Sequence, residues 1–101
     1  MIILFLPCAD DKEASKIVKT LLDKKLVACV KRIPVESAFL WNGKTEQDRE
    51  VLLMLESIEE KFEGIEEEVE KIHSDETFTL TAIPVIKHTE KVAKWLEEEL
   101  G

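Results

Sequence analysis

Residues 26–56 read LVACVKRIPVESAFLWNGKTEQDREVLLMLE, and this stretch decides the fold. It is rich in β-branched and aromatic residues, and Asn42-Gly43 supplies the pair that most readily takes positive φ in a two-residue hairpin turn. One strand is expected from Leu26 or Val27 to Trp41 and a second from Lys44 to about Glu56. With that turn, Trp41 faces Lys44, Phe39 faces Glu46, and Glu36 faces Arg49 as an opposite-charge cross-strand pair. The first of these strands would reach about 50 Å at roughly 3.3 Å per residue, whereas about 100 residues fold to a radius of gyration near 13 Å. The hairpin must therefore overshoot its own domain as an arm, with Pro34 marking the bend or bulge where it leaves the sheet. A two-stranded ribbon is marginal alone in water. Val35, Phe39, Leu40 and Trp41 are thus expected to dock on neighbouring chains.

On the N-terminal side, Ile2 to Leu6 are apolar at every position and read as a buried strand ending near Cys8. Asp10 and Glu13 form an N-cap and N3 pair, and Ala14, Ile17, Val18, Leu21 and Leu22 recur at helical spacing to about Lys25. On the C-terminal side, Ser57 and Glu60 match a capping box. Ile58, Phe62, Ile65, Val69 and Ile72 follow as one apolar stripe. Thr77 to Ile86 reads as a fourth strand with Pro84 at an edge or bulge. Thr89 caps a last helix carrying Val92, Trp95, Leu96 and Leu100. The order βαββαβα, with a hairpin between two helical crossovers, predicts an α+β, ferredoxin-like sandwich with antiparallel strand order 4-1-3-2. Two helices cover one face of such a sheet. Ile2–Leu6 and Val51–Leu55 are apolar on both faces, so the open face is expected to meet another subunit.

The chain has 101 residues, which predicts a single domain over residues 1–101. Hydrophobic residues at 45% and charged residues at 36% fit a folded core under a solvated surface. A net charge of −8, from 22 acids and 14 bases, disfavours nucleic acid and anionic membranes as partners. No apolar run approaches the length of a membrane span, and Met1–Leu6 lacks the basic leader of a signal peptide, so a cytoplasmic setting is expected. Cys8 and Cys29 then read as free thiols, each with core packing as the ordinary role.

The stretches Leu26-Val27-Ala28-Cys29-Val30, Trp41-Asn42-Gly43-Lys44 and Glu50-Val51-Leu52-Leu53, with His73 closing the second helix, resemble the CutA divalent-ion tolerance family. The similarity runs element by element along nearly the whole chain. It implies a ferredoxin-like homotrimer whose sheets pack together inside and whose hairpins reach across to neighbours. Where the family reads His-Pro-Tyr-Glu and then Pro-Glu, this chain has His73-Ser74-Asp75-Glu76-Thr77-Phe78-Thr79. It also has Glu56 where the family tends to place a Lys.

The resemblance implies a divalent metal, copper favoured, bound at a subunit interface by Cys29, His73 and Glu76 with Glu50. Thiolate and imidazole suit soft and borderline metals, and carboxylates add charge. Each residue also has a plainer reading: Cys29 as packing, His73 as a favourable charge at a helix C-terminus, Trp41 as an interface anchor. His88 reads as a solvated loop residue. No organic cofactor is implied. Enzyme readings lack support, because Gly43, Gly64 and Gly101 form no phosphate loop and neither Cys carries a hydrolase signature. The segment Pro7–Asp11, where an acylphosphatase would hold phosphate, is acidic. Two alternatives remain: a trimeric small-molecule sensor of PII type, with Lys31, Arg32, Lys44 and Arg49 rimming an anion site, and a non-catalytic interaction scaffold. The charge excess sits in residues 56–76, which hold ten acids and two bases, so the outer face of the second helix is expected to be a solvated acidic surface.

Overall fold

A computed structural model describes all 101 residues. The elements are β1 (Ile2–Cys8), α1 (Asp11–Asp23), β2 (Cys29–Trp41), β3 (Lys44–Ser57), a 3₁₀ turn (Glu59–Lys61), α2 (Phe62–Ile72), β4 (Thr81–Pro84) and α3 (Glu90–Leu100). The four strands form one antiparallel sheet in the order β2-β3-β1-β4, the reverse reading of 4-1-3-2. The expected ferredoxin-like arrangement is the observed one.

The hairpin register follows the sequence pairing throughout: Trp41 faces Lys44, Phe39 faces Glu46, and Glu36 faces Arg49. Asn42 and Gly43 carry φ of 51° and 76°, the two left-handed residues that a turn matching the strand twist requires. The arm stretches the molecule to 45 × 26 × 21 Å. Pro34 does not interrupt the ladder, since Pro34 faces Val51 and pairing runs unbroken from Cys29 to Trp41. A proline fits there because β2 is an edge strand with one side free of partners.

Alternation along β1 and β3 sends Ile2, Leu4, Leu6, Cys8, Val51, Leu53 and Leu55 into one face, where they are buried with Ala14, Ile17 and Leu21 of α1 and Ile65 and Val69 of α2. Helix α2 sits close on the α1–β2 connection: a Cβ on Gly64 would come within 2.9 Å of the Leu26 side chain. Lys24, after α1, and Lys71 both pair with Glu68 of α2, whose side chain is only 9% exposed. The opposite phase, Ile3, Phe5, Leu52 and Met54, is only half-buried. Register places Ile33 opposite Leu52, and Ile83 opposite Ile3, on that same open face.

The second strand begins at Cys29 and not at Leu26 or Val27, and two further elements depart from expectation. Ser57 does not cap the second helix. It is the fully buried last residue of β3, and its hydroxyl donates to the Leu26 carbonyl at 2.6 Å. The helix therefore enters through the 3₁₀ turn with no side-chain cap. The fourth strand is Thr81–Pro84, not Thr77–Ile86, and pairs only with Ile2–Phe5. On its N-terminal side the Thr77 amide turns back onto Asp75 Oδ1 at 3.0 Å, a local bond that competes with the ladder at that residue. The inner end of β1, Leu6–Cys8, consequently has no neighbour on that side.

Candidate functional site

At that unpaired end of β1, three segments meet. The backbone leaving Cys8 turns into α1, and α2 terminates at His73 beside it. Asp10 caps α1 by accepting from the Glu13 amide at 2.8 Å. This places Glu13 so that its carboxylate accepts from the Ala9 amide at 2.7 Å and from the Ser74 amide beyond α2. One carboxylate thus ties the β1–α1 turn to the exit of α2. His73 Nδ1 accepts from the Asp75 amide at 3.0 Å, so the proton is on Nε2, which donates to the Pro7 carbonyl at 2.7 Å. The ring stacks on Phe78 with centroids 5.2 Å apart.

Cys8 Sγ, a Glu13 carboxylate oxygen and a His73 ring nitrogen all lie within 4.8 Å of one another. Burial pushes the Cys8 thiol up to about 12, and the nearby Glu13 charge adds to the rise. Burial also works to raise Glu13, but the Ala9 and Ser74 amides outweigh it and hold the carboxyl below its usual value. Sulfur, nitrogen and oxygen from one residue each form a donor set suited to a borderline metal. Ligation would require Cys8 to lose its proton and His73 Nε2 to release the Pro7 carbonyl, so binding must compete with protons.

The lowered Glu13 carboxyl has a consequence for stability. An unfolded Glu takes up its proton near 4.5, whereas the folded one does so at lower pH. The contribution is complete above the unfolded value and is lost as pH falls through the folded value. Thermal midpoints measured from about pH 5 to about pH 3 should fall, and Glu13→Gln should show a shallower acid limb. Identical slopes for the two proteins would show that the carboxylate gains nothing from folding.

The residues singled out from sequence are not gathered within one protomer. His73 and Glu50 line the same cleft, between the arm and residues 73–79, together with Phe39, Trp41 and Asp75. Cys29 faces Glu56 at the opposite end of the sheet from Cys8, which faces Val51; its sulfur lies 3.5 Å from Lys31 Nζ. Glu76 lines a separate hollow with Glu66 and Glu70. Phe39, Leu40 and Trp41 are 42%, 77% and 52% exposed, and Val35 is half-buried. Of the four bases named for the sensor alternative, Lys31 pairs with Glu56, Arg32 with Asp11 and Arg49 with Glu36. Cys8 and Glu13 were absent from the sequence-derived set. Strand phase alone places Cys8 inward beside the helix whose first turn holds Glu13, but nothing local links either to His73, sixty or more residues away.

A family model described as CutA1 divalent ion tolerance protein matches residues 2–99. A divalent-cation tolerance protein CutA from Archaeoglobus fulgidus is 38% identical over 87 residues, covering 86% of this chain and 85% of the relative. One from Pyrococcus horikoshii is 34% identical over 99 residues, covering 98% and 97%. Among solved structures, a periplasmic divalent cation tolerance protein CutA from A. fulgidus superposes with a TM-score of 0.96 at 33% identity, covering 100% of both chains. A divalent cation tolerance protein from Thermus thermophilus gives 0.95 at 26% identity, again covering 100% of both.

Proposed function

Since the chain belongs to the CutA1 divalent ion tolerance family, we propose that it works as a homotrimer that binds a copper-type divalent cation and holds it without turnover. The family is named for tolerance of divalent ions and not for a reaction. The observation that carries the metal reading is the Cys8, Glu13 and His73 donor set within 4.8 Å. Cys8 supplies a soft thiolate, His73 an imidazole already fixed in orientation by Phe78, and Glu13 a carboxylate that stays ionised. Cys29 and Glu50 lie in phase with the half-buried open face and are donors that a neighbouring protomer would meet. Glu76 lies outside this donor set, in the hollow with Glu66 and Glu70. A reducing compartment such as the cytosol would keep both cysteines as thiols.

Calorimetric titration of Cu²⁺ and Zn²⁺ tests this reading. One saturable site per chain is expected, weakened at least about tenfold by Cys8→Ser or His73→Ala and kept in Cys29→Ser. Displacing the Cys8 proton should raise the apparent affinity about tenfold for each pH unit between about 6 and about 8. Unchanged binding in the Cys8 and His73 variants, or binding flat with pH, would overturn it.

A further inference from the structure

The point at which β4 stops is tied to the donor set by one carbonyl. The β1–β4 register sets Ile2 opposite Pro84 and Phe5 opposite Thr81; continued inward, it sets Pro7 opposite Thr79. The Val85 amide donates to the Met1 carbonyl at 3.1 Å, and bonded pairs alternate along an antiparallel ladder. Met1, Ile3, Phe5 and Pro7 therefore turn their backbone polar groups towards β4. Proline has no N–H, so the Pro7 carbonyl is all that this residue can offer a neighbouring strand. By register the Thr79 amide is its partner, yet β4 begins only at Thr81. His73 Nε2 takes the carbonyl instead, at 2.7 Å.

We propose that His73 is the stop of β4, and that metal ligation through its Nε2 frees the Pro7 carbonyl for the Thr79 amide and lengthens the strand to that residue. The coupling rests on the metal site at Cys8, Glu13 and His73. A single ring nitrogen cannot both ligate and donate. With Nε2 ligated the ring proton sits on Nδ1, so the Asp75 amide that Nδ1 now accepts is let go as well. Two of the ties that hold the segment after α2 away from the ladder are thus lost together. Pro7 is half-buried, and its freed carbonyl requires a new donor. Every group involved belongs to one protomer, so the change needs no open surface in an assembly.

Amide hydrogen exchange followed by NMR in the full-length, assembled protein tests this. Ile83, set opposite Ile3 within the ladder, is the internal reference. In the metal-free wild type the Thr79 amide should exchange freely. One Zn²⁺ per chain should slow it about tenfold or more, as should His73→Phe without metal, since that ring keeps the apolar stack on Phe78 but cannot donate to Pro7. His73→Ala serves the same purpose where Phe is not accommodated. Thr79 already protected in the metal-free wild type would overturn the proposal. So would an unchanged Thr79 in a metal-free variant whose Ile83 exchanges as in the wild type, or in a wild type that holds zinc through Cys8. Zinc that fails to bind would sink the metal reading alone, because the metal-free variants still decide whether His73 stops the strand.

Discussion

Met54→Glu is expected to convert the assembled protein to monomers without unfolding it. Met54 lies on the open face of β3, between Phe5 of β1 and Lys31 of β2. It is half-buried in the protomer, whereas its neighbours Leu53 and Leu55 are fully buried. A carboxylate there stays at a solvent-reached surface of the isolated chain and faces the Lys31 ammonium, a favourable cross-strand pairing. In an assembly that packs these sheets together, the same carboxylate loses its water, at a cost of several kcal/mol for each ion. Sedimentation at micromolar concentration should show the wild type near three times 11.6 kDa and the variant near that single mass, with far-UV dichroism unchanged. A wild-type protein that sediments as a monomer would remove the reason for the apolar open face.

Leu53→Ala should have the largest effect on stability. Leu53 is paired between Leu6 and Arg32 in the middle of the sheet, on the face covered by α1 and α2, and is 0% exposed. Truncation removes its apolar burial and leaves a cavity that a close-packed interior fills poorly, for a loss of about 3 kcal/mol. That is a large share of the roughly 5–15 kcal/mol holding a domain of this size. The denaturation midpoint should fall with an unchanged slope. The effect should be separable from assembly, because position 53 points away from the face that carries Met54. A shift below about 1 kcal/mol would mean that the site collapses around the gap.

The paired positions, one in phase and one out, also show how far sequence reasoning reaches. Hairpin register was legible to the residue because strand side chains have a period of two and Asn42-Gly43 fixes the phase. The unfilled open face was legible because Ile3, Phe5, Leu52 and Met54 are apolar where a solvated sheet would be polar. Local signals failed where a tertiary partner competed for the same group. Ser57 has the spacing of a capping residue, but its hydroxyl is taken by Leu26, a partner brought by the fold. The fourth strand also starts later than its β-rich sequence suggests, and at Thr77 a local bond to Asp75 takes the amide, a choice between turn and ladder that β-propensity does not decide.

The candidate site shows the same division. His73 entered the expected site through the family resemblance, and it does stand in a cluster. Its partners Cys8 and Glu13 come from the β1–α1 turn, and only the packing of α2 against that turn brings them within 4.8 Å. Cys29, the other thiol, lies at the far end of the sheet, so its part in any site depends on a neighbouring protomer.

Zinc-edge X-ray absorption on the Cys29→Ser protein loaded with one Zn²⁺ per chain identifies the atoms that hold the metal. Zinc does not change oxidation state, and with Cys29 absent any sulfur scatterer must be Cys8 or a methionine thioether. Binding at Cys8, Glu13 and His73 predicts one sulfur at about 2.3 Å with imidazole nitrogen at about 2.0 Å, and loss of the sulfur when Cys8→Ser is added. A shell of oxygen and nitrogen alone in Cys29→Ser, or a sulfur signal that survives Cys8→Ser, would contradict it.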